Sequence, residues 1–352
     1  MKKLIKQLVE ISASEAPILS CFVNLDHPRH RGIAELESQM RLKARRISSE
    51  QTKALCDAHA QVEEYLANSL ENESRSAVIY SRAGSEALFL AKQFEAPLKT
   101  EVIVDELPHI YPLIELKDVY HRFVIVITTE EEARILETVV GATTEETLAK
   151  RPELRQRTGR EWTKTHYRNH RMEREQQFIR DKIRVIEELM ERGGYNHLVL
   201  AGSHKMVGRL RQTLPARLQE RIIGTVHSNP EGGLNPILEE AMQQFANAES
   251  LESHNLVEEL ERAVLTDGLA VSGPDASHEA LSHHYADILV IDQEFADRKL
   301  RESLVRLAAV SGVRVETVKD SDVLKRLDGV GCLLRYRPPA LTHEVRGASA
   351  AA

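Results

Sequence analysis

The chain has 352 residues, 42% hydrophobic and 29% charged, with a formal net charge of −7, which is enough apolar material for two or three cores and excludes a disordered chain. Its longest apolar runs, VIVI at 124–127 and LVLAG at 198–202, are strand length, which excludes a membrane-spanning helix. Cys21, Cys56 and Cys332 are far apart in apolar patterns, which excludes a disulfide framework or a CxxC site and predicts three buried packing residues.

The first residues, MKKLIKQLVEIS, resemble the start of a signal peptide, but Lys6, Gln7 and Glu10 interrupt any apolar core. They predict an amphipathic first helix and a cytoplasmic protein. A strand follows at 18–25 (ILSCFVNL), then a polar bend and one long helix from about Ala34 to Leu70. Strand-like runs at 76–81, 86–91 and 101–107 complete a small α/β domain over residues 1–118.

A second unit, 119–250, opens with FVIVITT at 123–129, apolar enough to be buried on both faces of a sheet. EEEARILETVVGA predicts a turn and a returning strand, and a helix over 168–193 closes at Gly193 and Gly194. On that helix Phe178, Ile179, Ile183, Ile186, Leu189 and Met190 share one face, as needed to pack on a sheet. Strand 197–202, a helix near 205–214, strand 222–226 and a helix begun by Asn235 and Pro236 follow, predicting a mostly parallel sheet. The third unit, 251–340, starts with a separate helix at 252–268. Strands at 287–292, 314–319 and 331–337 then alternate with helices, predicting a three-layer α/β/α sandwich. The tail, 341–352, is low-complexity and expected to be disordered.

The stretch of highest local charge is RPELRQRTGREWTKTHYRNHRMER, residues 151–174, with eight Lys or Arg against three Glu, about +5 in a chain of net −7. Such a reversal of sign fits a polyanionic partner. Nucleic acid is the first candidate: Lys and Arg gain affinity by releasing counterions from phosphates, and Trp162, His166, Tyr167 and His170 offer rings for stacking. A solvated charged helix with an exposed lead-in loop is the plainer alternative.

Several segments carry a resemblance. HRMEREQQFIRDK (170–182), HLVLAGSHK (197–205), NPEGGLNPILEEA (229–241), AVSGPDASHEAL (270–281) and GVGCLLRYR (329–337) resemble domains two and three of archaeal and eukaryotic class 1 peptide-chain release factors and of Pelota. DELPHIYPLIELKDVYHRFVIVITTEEEARI (105–135) resembles the bacterial archaeo-eukaryotic release factor group, and the likeness runs in order over most of residues 1–338. It implies an RNase H-like middle domain, a ribosomal-protein-like C-terminal α/β/α domain, and binding at the ribosome. In release factors a Gly-Gly-Gln loop before the long helix positions water against the peptidyl-tRNA ester. Counted back from Arg171-Met172-Glu173, that tripeptide falls here on Arg160-Glu161-Trp162, and no slip by a residue or two recreates it around Gly159. Two glycines permit close backbone approach and the glutamine supplies an amide; Arg160 and Glu161 bring bulk and charge, and indole is a donor only. Hydrolysis by the release-factor route is therefore not expected. The decoding motif Asn-Ile-Lys-Ser is also missing from the N-terminal domain.

Other constellations are weaker. His166 and His170 have helical metal-ligand spacing but no third ligand, so no metal and no cofactor are expected. Glu161, Glu173 and Asp181 lack the strand-borne carboxylates a two-metal nuclease needs. AGSHK at 201–205 has no GxxxxGK[ST] and reads as a tight exit from a buried strand. His283 and His284 fall in a helical segment as surface residues.

The sequence thus predicts a ribosome-associated translation factor that binds tRNA or rRNA, without DNA specificity or membrane contact, in the handling of stalled or idle ribosomes. Arg155, Arg157, Arg160, Lys164, Arg168, Arg171 and Arg174 would contact phosphate, Trp162 and Tyr167 would stack, and Gly159 would shape the loop. A translational GTPase is a further partner that the resemblance admits. The alternative is a peptidyl-tRNA or tRNA hydrolase with Glu161 or His166 as the base.

Overall fold

The computed structural model describes residues 1–14, 16–26, 28–44, 49–72, 74–84, 86–94, 96–119, 123–129, 132–139, 142–150, 164–193, 195–227 and 235–336. Three sheets give a mixed α/β chain in two compact units, one formed by residues 1–119 with 252 onward and the other by 120–251.

The N-terminal part of the first unit contains α1 (Lys2–Val9), β1 (Ile18–Asn24), α2 (Arg29–Ala44), α3 (Ser49–Asn68), β2 (Ser76–Arg82), β3 (Leu88–Phe94), β4 (Glu101–Asp105) and α4 (Tyr111–Val119). Its strands form an antiparallel sheet in the order β3-β2-β1-β4. Leu19, Cys21 and Val23 alternate onto the face covered by Leu36 and Met40 of α2 and Leu55, Val62 and Leu66 of α3. The single helix expected over 34–70 is therefore two helices. One continuous helix of that length would run about 55 Å, far beyond a strand of about 20 Å, so only by folding back can both apolar stripes reach the sheet. Burial pushes the Cys21 thiol well above its ordinary range and Cys332 up to about 12. Cys56 corrects the expectation for all three cysteines: it is exposed on α3.

The second unit contains β5 (Phe123–Thr128), β6 (Glu132–Val139), β7 (Ala142–Lys150), α5 (Lys164–Gly193), β8 (His197–Gly202), α6 (His204–Thr213), α7 (Ala216–Gln219), β9 (Ile222–Val226) and the start of α8 (Asn235–Leu265). The sheet order is β7-β6-β5-β8-β9. It is mixed rather than mostly parallel: β5, β8 and β9 are parallel, while β6 and β7 return as antiparallel partners. Strand β7, ATTEETLAK, is the sheet's edge and has no apolar run to announce it. On one face Val124, Val126, Leu198 and Leu200 pack with Ile179, Ile183, Ile186, Leu189 and Met190 of α5. On the other, Phe123, Ile125 and Val199 meet Ile237, Ala241 and Phe245 of α8, with the Phe123 and Phe245 rings stacked 4.6 Å apart. Helix α8 is continuous where two helices were expected, because no Gly or Pro lies between Pro236 and Gly268 to stop it.

The C-terminal part of the first unit adds β10 (Ala270–Ser272), α9 (Pro274–Ser282), β11 (Ala286–Asp292), α10 (Arg298–Val310), β12 (Arg314–Val318), α11 (Asp322–Arg326) and β13 (Val330–Leu334), with sheet order β10-β13-β11-β12. Leu256, Val257 and Leu260 of α8 and Leu324 of α11 cluster with Ala270, Val290 and Val318. His283 and His284 lie past the helix expected there: His283 caps α9 and His284 has φ +59°, a left-handed conformation that ends it.

Charge-assisted bonds join the two parts of this first unit. The Glu302 carboxylate on α10 accepts from the backbone N–H of Ile110 at 2.8 Å and of Tyr111 at 3.0 Å, so it caps α4 from another element. The same carboxylate pairs with His109 Nδ1 at 3.0 Å and with Arg306, one turn along α10, which also donates to the Pro108 carbonyl. Asp118 of α4 accepts from the backbone N–H of Thr317 at 2.5 Å and from its hydroxyl at 2.8 Å, satisfying the edge strand β12. The Arg301 guanidinium lies 3.7 Å over the Tyr111 ring.

Candidate nucleic-acid interface

Strand register gathers one edge of the second unit's sheet. Thr128 of β5 pairs with Gly202 of β8, and Ala201 pairs with Val226 of β9, so the three parallel strands end together. Lys150, the last residue of β7, pairs with Glu132, the first of β6, beside them. Four strands therefore deliver their C-terminal ends to this edge, the side at which α/β sheets bind ligands. Residues 151–163 follow β7 and residues 228–234 follow β9, so the basic segment of the sequence departs from here.

Helix α5 is pinned to the same edge. Lys182 is 1% exposed; its ammonium donates to Thr128 Oγ1 at 2.7 Å and to the Thr129 carbonyl at 3.3 Å, and lies 4.1 Å from the Phe178 ring centre. Gln176 and Gln177 are exposed, and Phe178 and Ile179 after them are buried. Lys164–Gln177, the part of the helix that carries Lys164, Arg168, Arg171 and Arg174, spans about 21 Å at 1.5 Å per residue. Toward the far end of α5, Tyr195 Oη donates to Glu137 at 2.5 Å and Arg217 bonds Glu187 at 2.7 Å and Glu191 at 2.9 Å. The Glu187 bond raises the already high pKa of Arg217 further.

Where β8 leaves the sheet the backbone is tight, as the Gly and Ser of AGSHK predict. Gly202 has φ +139°, and a Cβ there would stand 2.3 Å from the Thr128 carbonyl oxygen. Ser203 then caps α6, accepting from the Met206 N–H at 3.4 Å. Gly202→Ala is expected to cost about 2 kcal/mol through backbone strain and this contact, measured as a lower urea midpoint. An unchanged midpoint would show that the edge yields.

Of the residues expected at the interface, Arg155, Arg157, Gly159, Arg160, Glu161 and Trp162 lie outside the described residues. Lys164, His166, Tyr167, Arg168, Arg171 and Arg174 fall on α5, which starts four residues earlier than the 168 expected; they are placed by backbone alone. What the residues alone did not show is a pair of rings at this sheet edge. His204, which opens α6, and His227, which follows β9, are both exposed, and their rings stack 3.6 Å apart with an interplanar angle of 22°. Residues 203–219 carry Lys205, Arg209, Arg211 and Arg217 and no Asp or Glu. That run was legible as a charge pattern, whereas the stacking needs β8 and β9 to be neighbours.

Residues 108–246 match the model of bacterial archaeo-eukaryotic release factor family 10. No curated protein matches the sequence. Among solved structures, the chain is similar to the archaeal translation termination factor aRF1, with 18% identity, 95% of this chain and 96% of that one covered, and a TM-score of 0.28. It is also similar to Saccharomyces cerevisiae Dom34, a translation termination-like factor of RNA quality control that interacts with Hbs1, with 12% identity, coverage of 75% and 81%, and a TM-score of 0.47. Archaeal Pelota, described as ribosome-bound together with ABCE1, is similar at 17% identity, coverage of 96% and 94%, and a TM-score of 0.46. Among the described residues no helix is long and apolar enough to cross a membrane.

Proposed function

We propose that the chain is a ribosome-associated, cytoplasmic translation factor of the release-factor superfamily that contacts tRNA or rRNA through residues 155–174 and acts on stalled or idle ribosomes without decoding stop codons. Its three functional domains are an N-terminal α/β domain, an RNase H-like middle domain and a ribosomal-protein-like C-terminal domain, and a translational GTPase is its natural further partner. The observation that carries this reading is the reversal of charge at 151–174, about +5 in a chain of −7, within the segment 108–246 that matches a release-factor family. GREW in place of Gly-Gly-Gln supports binding over peptidyl-tRNA hydrolysis, since it offers neither the paired glycines nor the amide.

Cosedimentation with ribosomes tests it. Four phosphate contacts give a log–log salt slope of about −3, a loss on the order of 50-fold between about 50 and 200 mM salt. Reversing Arg155, Arg157, Arg160 and Lys164 to Glu is expected to abolish the association at the higher salt. Association that ignores both salt and these substitutions, or no association at all, would refute the reading.

A further inference from the structure

We propose that the open edge of β3 is a self-association surface, on which a second copy of this chain adds its own β3 antiparallel, with Phe89 on the twofold axis and Glu86 of each copy facing Lys92 of the other. This surface lies on the N-terminal sheet of the first unit and is independent of the RNA-binding reading above.

The two edges of that sheet differ. At β4 the Gln39 side chain of α2 accepts from the Val102 N–H at 3.0 Å and donates to the Thr100 carbonyl at 3.2 Å, so main-chain groups of that edge are taken. At the opposite edge β3 pairs with β2 alone, and among the described residues no side chain bonds its main chain. An edge in this state is a template for another strand. Its own sequence fits one strand in particular. Residues 87–91, Ala-Leu-Phe-Leu-Ala, read the same in both directions, with Glu86 before them and Lys92 after. Antiparallel pairing of two copies about Phe89 therefore sets Leu88 against Leu90, Ala87 against Ala91 and Phe89 against itself, and brings each Lys92 to the hairpin turn that carries the other copy's Glu86. Lysine on an edge strand ordinarily deters pairing, whereas this register supplies its counter-charge. Pairing about Ala91 instead would set Lys92 against Leu90 and Phe89 against Gln93.

The groups that would meet are accessible. Phe89 is 40% exposed, Lys92 is exposed, and the Glu86 side chain is 62% exposed. Glu86 Oε2 lies 3.4 Å from Arg82 Nη1, and a carboxylate with two oxygens can accept from a second cation as well. The Phe89 ring leans on Tyr65 of α3, with centroids 5.8 Å apart, so pairing on the axis gathers four rings on the helix-covered face. It also turns two four-stranded sheets into one continuous sheet.

The test is sedimentation equilibrium of the full chain from about 1 to about 100 μM, a range that brackets a micromolar Kd, where a monomer–dimer equilibrium is expected. Lys92→Glu, which sets like charges at both ends of the paired strands, is expected to weaken it on the order of tenfold, and adding Glu86→Lys to that variant is expected to restore it. Register is read by cross-linking in a Cys56→Ser background, since Cys56 is exposed while Cys21 and Cys332 are buried. Phe89→Cys is expected to form a disulfide-linked dimer on mild oxidation, because on the axis its two copies come within the roughly 7 Å that a disulfide can span. Lys92→Cys is expected not to link, its two copies lying about six residues, or about 20 Å, out of step. A chain that is monomeric throughout this range overturns the inference and leaves the edge to a strand of another protein. A dimer that Lys92→Glu does not weaken and Phe89→Cys does not link overturns it in favour of another surface. Linking through Lys92→Cys in place of Phe89→Cys overturns the register on which it stands.

Discussion

Glu302→Ala is expected to lower the stability of the first unit by about 3–5 kcal/mol, the cost of removing one partner from a largely buried charged network. One carboxylate here serves four groups: the N–H of Ile110, the N–H of Tyr111, His109 and Arg306. Its removal uncaps α4 and takes the counter-charge from Arg306, whose side chain is only 14% exposed. Glu302→Gln keeps one carbonyl acceptor for the Ile110 or the Tyr111 N–H, sets an NH2 donor where the other oxygen stood and removes the charge, so its cost should be smaller than the alanine's, about 2 kcal/mol. Urea denaturation followed by far-ultraviolet circular dichroism measures both. Equal costs for the two variants would mean that the charge, which both lose, carries the whole effect and that the acceptor kept by the glutamine adds nothing. A cost below about 1 kcal/mol for the alanine variant would mean that the apolar contacts alone join the two parts.

Lys182→Ala is expected to cost about 2–4 kcal/mol, combining a cavity under α5 with lost donors to the Thr128 hydroxyl and the Thr129 carbonyl. Lys182→Met separates these contributions, because the methionine refills the volume of the stem and supplies no donor. A methionine variant as stable as the wild type would show that the ammonium is dispensable, as happens when well-packed apolar groups replace buried charges. On the proposed function, the alanine variant should also weaken ribosome cosedimentation, since Lys182 ties the basic helix to the strand ends from which the loop departs. Unchanged cosedimentation by a destabilised protein would uncouple the pin from the interface.

Much of the fold was legible because the central strands read as uninterrupted apolar runs: β1, β5, β8 and β11 are buried on both faces, and ILSCFVN, FVIVIT, HLVLAG and DILVID show it directly. The stripe from Phe178 to Met190 likewise announced which face of α5 packs. The misses share a cause. Strand β7 is held at a sheet edge by hydrogen bonds to β6, and backbone pairing leaves no mark in a sequence as polar as ATTEETLAK. The break between α2 and α3 follows from the width of the sheet beneath them, and the continuity of α8 from the lack of any stop signal, so helical periodicity alone decided neither.

The candidate site divides in the same way. Composition by itself determined that residues 151–174 oppose the charge of the rest of the chain and that the release-factor tripeptide is missing, because both are properties of residue identity and order. Tertiary structure alone decided that four strand ends meet at one edge, that Lys182 fixes α5 to it, and that His204 and His227 stack. Glu302 and Ile110 are 192 positions apart, and no local preference foretells a bond over that span. The physical reason is range: propensity and charge act along the chain, whereas caps, stacks and buried ion pairs depend on which surfaces the core brings together.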